Sequence, residues 1–568
     1  MSRLLFVLTG ISLFFWSVVL QAQPAPPTPV PGLAGAKLTP MQLANLVALG
    51  QVWGLAKYYH PTLASGQRNA DTELFQLLPS VLNCPTMTAR SMVLSQWLAA
   101  LGSVQPCAIC ATRPTQSVRQ LPATDWATDT ARFSPALRKQ LALLAANPYQ
   151  GLSYYVGAGN AMSPGFLHED PYAGQPCPGP ELRILALFRY WNMVQYFYPY
   201  KYALGTSWAA VLPAFIPTFL AANTALDYRR AALALFTQLH DGHATLVPDA
   251  ILQAETGKYT VAAALQVIEQ QMTVLRVRHD GLVPQPPLEP GDVIVEVEGI
   301  AVAELLQQRL TVTPGSNQAA QLRTIATELL RGTTPSVNLL VRRNGQVKRV
   351  VVPRFELGTV PPVRPPAADS MYRFLTPQVG YIDMARITKA KIPALMRAFQ
   401  STRGIVIDLR SYPGEFVSYV LPGYFLKHPV AFAKVLVYDP TYPGRFLDLP
   451  APVLQPAGQQ PYTGQLVVLI NEGTFSQAEF TAMALRATPH CLLLGSQTAG
   501  ADGDVVRITL PGDLMTRMSG TGIYYPDNRE TQRVGLVPDV EVRPTLAGVL
   551  AGHDELRDQA VELIMRGR

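Results

Sequence analysis

The sequence predicts a multidomain α+β chain in three parts: a duplicated helical N-terminal region, a β domain, and an α/β core. Three observations predict it. An aromatic-rich segment occurs twice at a fixed offset; the apolar pattern changes to strands from about residue 258; and short apolar runs alternate with helical ones beyond residue 371.

The duplication is read from Trp53, Tyr58, Tyr59 and Pro61, which return as Trp191, Tyr196, Phe197 and Pro199, each 138 positions later. Both copies continue into further helical patterns, so the first unit is placed at 38–113 and the second at 181–250. The aromatic stripes at helical spacing are core, not a ligand box. The connection 114–180 is rich in Pro, Gly and Thr and carries no recognisable chemistry. Strand-like runs at 273–278, 292–298, 336–342 and 347–352, with one helical run at 318–330, define a β domain at 258–354. Pro361, Pro362, Pro365 and Pro366 mark 355–370 as a stiff linker. The core, 371–548, has apolar strands at 379–384, 404–409, 465–470 and 491–495 separated in part by helices, the signature of a largely parallel sheet covered on both faces. A helix at 549–568 ends the chain.

Composition narrows the function classes. Hydrophobic residues make up 48% and charged residues 15%, which describes an ordered globular protein. The net charge of +7 comes without any block of consecutive Lys and Arg, so no nucleic-acid partner is expected. Arg3 followed by the apolar run 4–20 reads as a signal peptide over 1–22, which places the mature chain in the periplasm or outside the cell. No other stretch is apolar enough to span a bilayer, so no stable membrane insertion is expected after cleavage. Of five cysteines, Cys107 and Cys110 form a CxxC without a thioredoxin-like setting or a second CxxC, and all five are read as structural. There is no metal or nucleotide motif, and no cofactor is expected.

Two places carry chemistry. Ser476 sits where the apolar strand 465–470 turns into the helical run 477–488, so its hydroxyl projects from the sheet edge beside the free N–H groups of the first helical turn. A serine there is also an ordinary N-cap. The second place is His240-Asp241-Gly242-His243, which ends the second helical unit; the first ends in Leu101-Gly102-Ser103-Val104, without a histidine. A general base needs a rigidly held imidazole, and at this end only the second copy supplies one.

Glu289-Pro290-Gly291-Asp292 before a strand, then a helix and Arg342-Arg343-Asn344-Gly345, resembles a PDZ domain of bacterial proteases, a module that binds peptides by strand addition. The loops 408–414, 471–479 and 495–500, with Tyr525-Pro526-Asp527 and the closing run 534–539, resemble the tail-specific or C-terminal-processing serine peptidases, whose α/β core is crotonase-like or ClpP-like. The resemblance implies that Ser476 attacks a peptide carbonyl and that the N–H groups of Gly414 and Gln477 stabilise the oxyanion. One branch of that family uses a lysine, but Ala501 stands in its place here; the tricorn-core-like branch takes its base from a histidine, whose position His243 fills. A glutamate that supports the base in that branch corresponds to Gln532, with Glu530 nearby as a substitute. Asp241 and Glu479 are read as turn and first-turn residues. The expectation is an exported serine endopeptidase acting on unfolded or C-terminally exposed polypeptides. The alternative is a non-catalytic protein that binds peptides or lipophiles on the same fold.

Overall fold

The computed structural model describes residues 27–33, 37–108, 110, 118–205, 207–278, 281–282, 285–359, 363, 371–458 and 460–567. The expected signal segment 1–22 lies outside these, as do 360–362 and 364–370 of the expected linker.

The helical region follows the repeat closely. Helices α1 (Pro40–Tyr59), α2 (Ala70–Leu82) and α3 (Met87–Ala100) are matched by α4 (Pro180–Phe197), α5 (Trp208–Ala221) and α6 (Ala225–Thr237). Local sequence starts these helices. Thr39 with Gln42 forms a capping box on α1, and Thr224 with Asp227 does the same on α6. One hydrogen bond recurs in both copies: Trp53 Nε1 donates to the Ala70 carbonyl at 2.7 Å, and Trp191 Nε1 to the Trp208 carbonyl at 2.8 Å. The copies meet along α1 and α4. A Cβ on Gly54 would overlap Asn192, so only glycine permits the close approach in which Asn192 Nδ2 reaches the Gly50 carbonyl at 2.9 Å. The connection holds more structure than its composition suggests, including a helix at Pro135–Ala146 capped by Ser134.

The β domain is a seven-stranded sheet. Its strands are β1 (Tyr259–Val261), β2 (Ala263–Ile268), β3 (Gln271–Val277), β4 (Val293–Val297), β5 (Ile300–Ala301), β6 (Ser336–Arg343) and β7 (Gln346–Glu356). The order is β1-β7-β6-β4-β3-β2, with β5 on β4, which leaves β2 at an edge beside helix α7 (Gln318–Glu328).

In the core, β8 (Tyr372–Thr376) is antiparallel to β9 (Val379–Asp383), and β10 (Gly404–Asp408), β11 (Gln465–Ile470), β12 (Cys491–Gly495) and a short strand at Val540–Glu541 continue in parallel. Side chains alternate between the faces. Ile405, Ile407, Leu466, Val468 and Ile470 pack under α8 (Gln477–Arg486), while Val406, Val467 and Leu469 meet α9 (Glu555–Arg566). The terminal helix α9 is therefore the second cover of the core sheet, not an appendage. A hairpin of Val505–Leu510 and Leu514–Ser519 leaves the core and buries Ile508, Leu510, Leu514 and Met518 in the helical core. That hairpin ends at Ser519, beside His243.

Candidate active site

Ser476 precedes α8 with φ +53° and ψ −120°. The N-caps Thr39, Asn69, Thr86 and Thr224 are all extended, with negative φ. Ordinary capping therefore does not account for Ser476. A non-glycine residue in this region stores strain of about 1–3 kcal/mol, which persists only where its surroundings impose it. They do so here. The Ser476 N–H is shared by the Ala501 carbonyl at 3.0 Å and Glu479 Oε2 at 3.1 Å. Glu479 also accepts from the Thr498 hydroxyl and from the N–H groups of Gly500 at 2.8 Å and Ala501 at 3.0 Å. Burial pushes the Glu479 carboxyl above the usual carboxylate range, against the effect of those four donors. The first-turn residue foreseen from sequence is thus the clamp on which the sharp strand-to-helix turn is built.

His243 is 7% exposed and reaches the same place from the helical region. The Phe475 ring, one residue before Ser476, lies 4.7 Å from the imidazole, centroid to centroid. The histidine loop is closely seated. A Cβ on Gly242 would come within 2.9 Å of the Phe475 ring and 3.2 Å of the Ala501 Cβ. Ala501 is fully buried.

The structure corrects the expected support for the base. His243 Nδ1 faces Ser519 Oγ at 2.9 Å and Asp241 Oδ1 at 3.4 Å. Asp241 in turn accepts from the Ser519 hydroxyl at 3.1 Å, from Ser519 N–H at 2.7 Å and from His243 N–H at 2.9 Å. Burial alone would raise the Asp241 pKa, but hydrogen bonding and attraction to His243, with these N–H donors, hold it below the ordinary value. Asp241 is therefore an ionised orienting group, not merely a turn former. Gln532 points elsewhere: its Nε2 lies 3.4 Å from the Tyr198 hydroxyl, and its Oε1 is buried without a partner among the described residues. Glu530 accepts from the Tyr202 hydroxyl at 2.8 Å. Neither has a hydrogen bond to His243. Among the described residues, His243 Nε2 is buried without a hydrogen-bond partner.

The two expected oxyanion donors differ. Gln477 occupies the first position of α8, where a helix leaves N–H groups without internal carbonyls. Gly414 N–H, by contrast, donates to the Met384 carbonyl at 2.9 Å, so this donor is spent. Sequence could place Gly414 in a turn but not orient its peptide plane.

Asp502 adds a titration next to the Ser476 clamp. Burial, then repulsion from Glu479, raises its pKa well above the ordinary value, and Oδ2 has no partner. In the unfolded chain this carboxyl ionises near pH 4. The folded state therefore binds more protons than the unfolded one from that pH up to the raised pKa, and folding loses about 1.4 kcal/mol for each pH unit in that window. Asp502→Asn has no such loss. Its melting temperature is expected to rise relative to wild type between pH 4 and 7, measured by calorimetry; a difference constant over that range would contradict the assignment.

Residues 378–542 match the model of peptidase family S41. This part of the chain is an S41 peptidase domain. The match includes Ser476 and leaves out His243, which lies in the helical region. No curated protein matches the sequence. Among solved structures, mature CPAF complexed with lactacystin is similar at 15% identity and a TM-score of 0.54, over 68% of this chain and 99% of that one. The photosystem II D1 C-terminal processing protease is 19% identical with a TM-score of 0.37, over 66% and 98% of the two chains. The tricorn protease is 14% identical with a TM-score of 0.34, over 68% and 36%. At these identities the CPAF likeness is one of fold. The S41 match supports a serine-type peptidase.

Proposed function

We propose that this chain is an exported serine endopeptidase that hydrolyses unfolded or C-terminally exposed polypeptides through an acyl-enzyme on Ser476. The carrying observation is the strained Ser476 turn beside a buried imidazole whose Nδ1 is held and whose Nε2 has no partner among the described residues. In the first step Nε2 takes the Ser476 proton as Oγ bonds to the peptide carbonyl carbon. The imidazolium then gives that proton to the leaving amine as the C–N bond breaks. Water, deprotonated by the same nitrogen, hydrolyses the ester. Asp241 and Ser519 keep the ring oriented and stabilise its charged form. Gln477 N–H supplies one oxyanion donor.

The edge strand β2, flanked by α7, is the proposed docking edge, which an extended peptide would join by strand addition as in the PDZ modules the sequence resembles. Gln266 on β2 donates to Glu472 at 2.8 Å, which sets the edge next to the Ser476 loop. Residues 1–22 are the proposed export signal, with the periplasm or the exterior as destination.

The spent Gly414 N–H favours a second reading, a non-catalytic protein that binds a peptide or lipophile on this fold. A fluorophosphonate probe separates the two. Covalent labelling of Ser476 in the wild type, absent in Ser476→Ala, is expected; a wild-type chain that stays unlabelled and leaves an unfolded protein intact would refute the peptidase reading.

A further inference from the structure

Ser316 and Asn317, at the start of α7 in the β domain, contact the His243 loop and the loop at 498–499 that is bonded to the Ser476 loop. Asn317 caps α7, its Oδ1 accepting from Ala320 N–H at 3.0 Å. An N-cap needs only its oxygen, yet the Asn317 amide nitrogen is also used. Its Nδ2 lies within 2.9 Å of the Thr498 carbonyl, 3.1 Å of Ala499 and 3.2 Å of Arg533. Those carbonyls belong to the loop that clamps Ser476 and to the residue just before the closing run. Ala499 N–H donates to the Thr474 carbonyl at 3.0 Å, and Arg533 N–H to Gly500 at 2.8 Å. The preceding residue turns the other way: Ser316 is 3% exposed, and its Oγ accepts from Gly242 N–H, in the loop of His243, at 2.8 Å.

The peptidase reading places nucleophile and base on segments more than two hundred residues apart, and Gly242 is among the residues that pack the base loop on Phe475 and Ala501. Two consecutive side chains from a third part of the chain hold both segments. Resting on that reading, we propose that Ser316 and Asn317 are positioning residues of the reaction, fixing the His243 loop against the Ser476 loop. The β domain is then a structural member of the active site and not only a site for peptide docking. A misplacement of about 1 Å between reacting groups is enough to cost about 100-fold in rate.

The test uses the full chain. Asn317→Asp and Asn317→Ser keep an oxygen to cap α7 and remove the amide donor; Ser316→Ala removes the acceptor for Gly242 N–H, and Ser316→Thr restores a hydroxyl. With an unfolded protein as substrate, Asn317→Asp, Asn317→Ser and Ser316→Ala are expected to lose about 10- to 100-fold in kcat with KM little changed. Fluorophosphonate labelling of Ser476 should slow in parallel, and Ser316→Thr should retain most of the rate. Melting temperatures show whether each variant is folded; if both Asn317 variants are not, the contrast between Ser316→Ala and Ser316→Thr decides. Folded variants with wild-type kcat, or with a change in KM alone, would overturn the inference while leaving the peptidase reading intact. A wild type that neither cleaves nor labels would remove both.

Discussion

Ser476→Ala is expected to lower kcat by about 10⁶-fold while leaving the fold and the strained turn in place, because alanine keeps the Cβ and residue 476 joins the clamp on Glu479 through its backbone N–H. His243→Ala is expected to lose a similar amount, and the double variant little more, since nucleophile and base act as one unit. The orienting group distinguishes this arrangement from the one expected from sequence. Asp241→Asn, which leaves the geometry but removes the charge facing Nδ1, is expected to cost about 10⁴-fold. Gln532→Ala and Glu530→Ala are expected to leave kcat near wild type, because their hydrogen bonds go to the hydroxyls of Tyr198 and Tyr202. Single-turnover kinetics on an unfolded substrate measure all six. Loss in Gln532→Ala with a mild effect in Asp241→Asn would reverse the assignment of the orienting group. Ser476→Gly gives an independent check on the turn: glycine relieves the positive φ, and stability should rise by about 1 kcal/mol.

What could be read in advance was whatever local pattern controls. The offset of 138 is a relation within the chain, and the helices α2 and α5, then α3 and α6, begin that far apart. Ser476 was legible because a buried strand and a helical run meet there, and His243 because one repeat kept a histidine that the other lacks. What escaped depends on residues distant in sequence or on peptide orientation. Ser519, the partner of His243, is 276 positions away, on a hairpin whose alternating pattern names no chemistry. Asp241 looked like a turn former because Asp-Gly usually is one; its second use appears only when the hairpin closes on it. The sign of φ at Ser476 and the direction of Gly414 N–H are set by what packs around them. The helix Pro135–Ala146 was passed over within a Pro- and Thr-rich stretch, although Ser134-Pro135 is a regular helix start.

A second group that only the fold reveals has the largest expected effect on stability. Lys57, Glu169, Arg189 and Asp71 meet inside the helical region, with side chains 0, 2, 0 and 5% exposed. Lys57 Nζ is 2.6 Å from Glu169, Arg189 Nε is 2.9 Å from the same carboxylate, and Arg189 also pairs with Asp71. The cluster breaks the repeat symmetry: the position equivalent to Lys57 is Gln195, and the one equivalent to Arg189 is Gln51. Burial lowers the Lys57 pKa against the attraction of Glu169, while the two carboxylates more than offset burial at Arg189 and raise it. The lysine thus depends on Glu169 to remain charged. Glu169→Ala leaves two buried cations facing one carboxylate, and stability is expected to fall by about 3–5 kcal/mol, read from denaturant unfolding. The additional change Lys57→Met removes the stranded ammonium and should recover part of that loss, since an apolar side chain of similar length fits among Trp53, Tyr58 and Tyr155, whose rings surround Nζ. A double variant no more stable than Glu169→Ala would mean that the cost lies in packing around residue 169 and not in the unpaired charge.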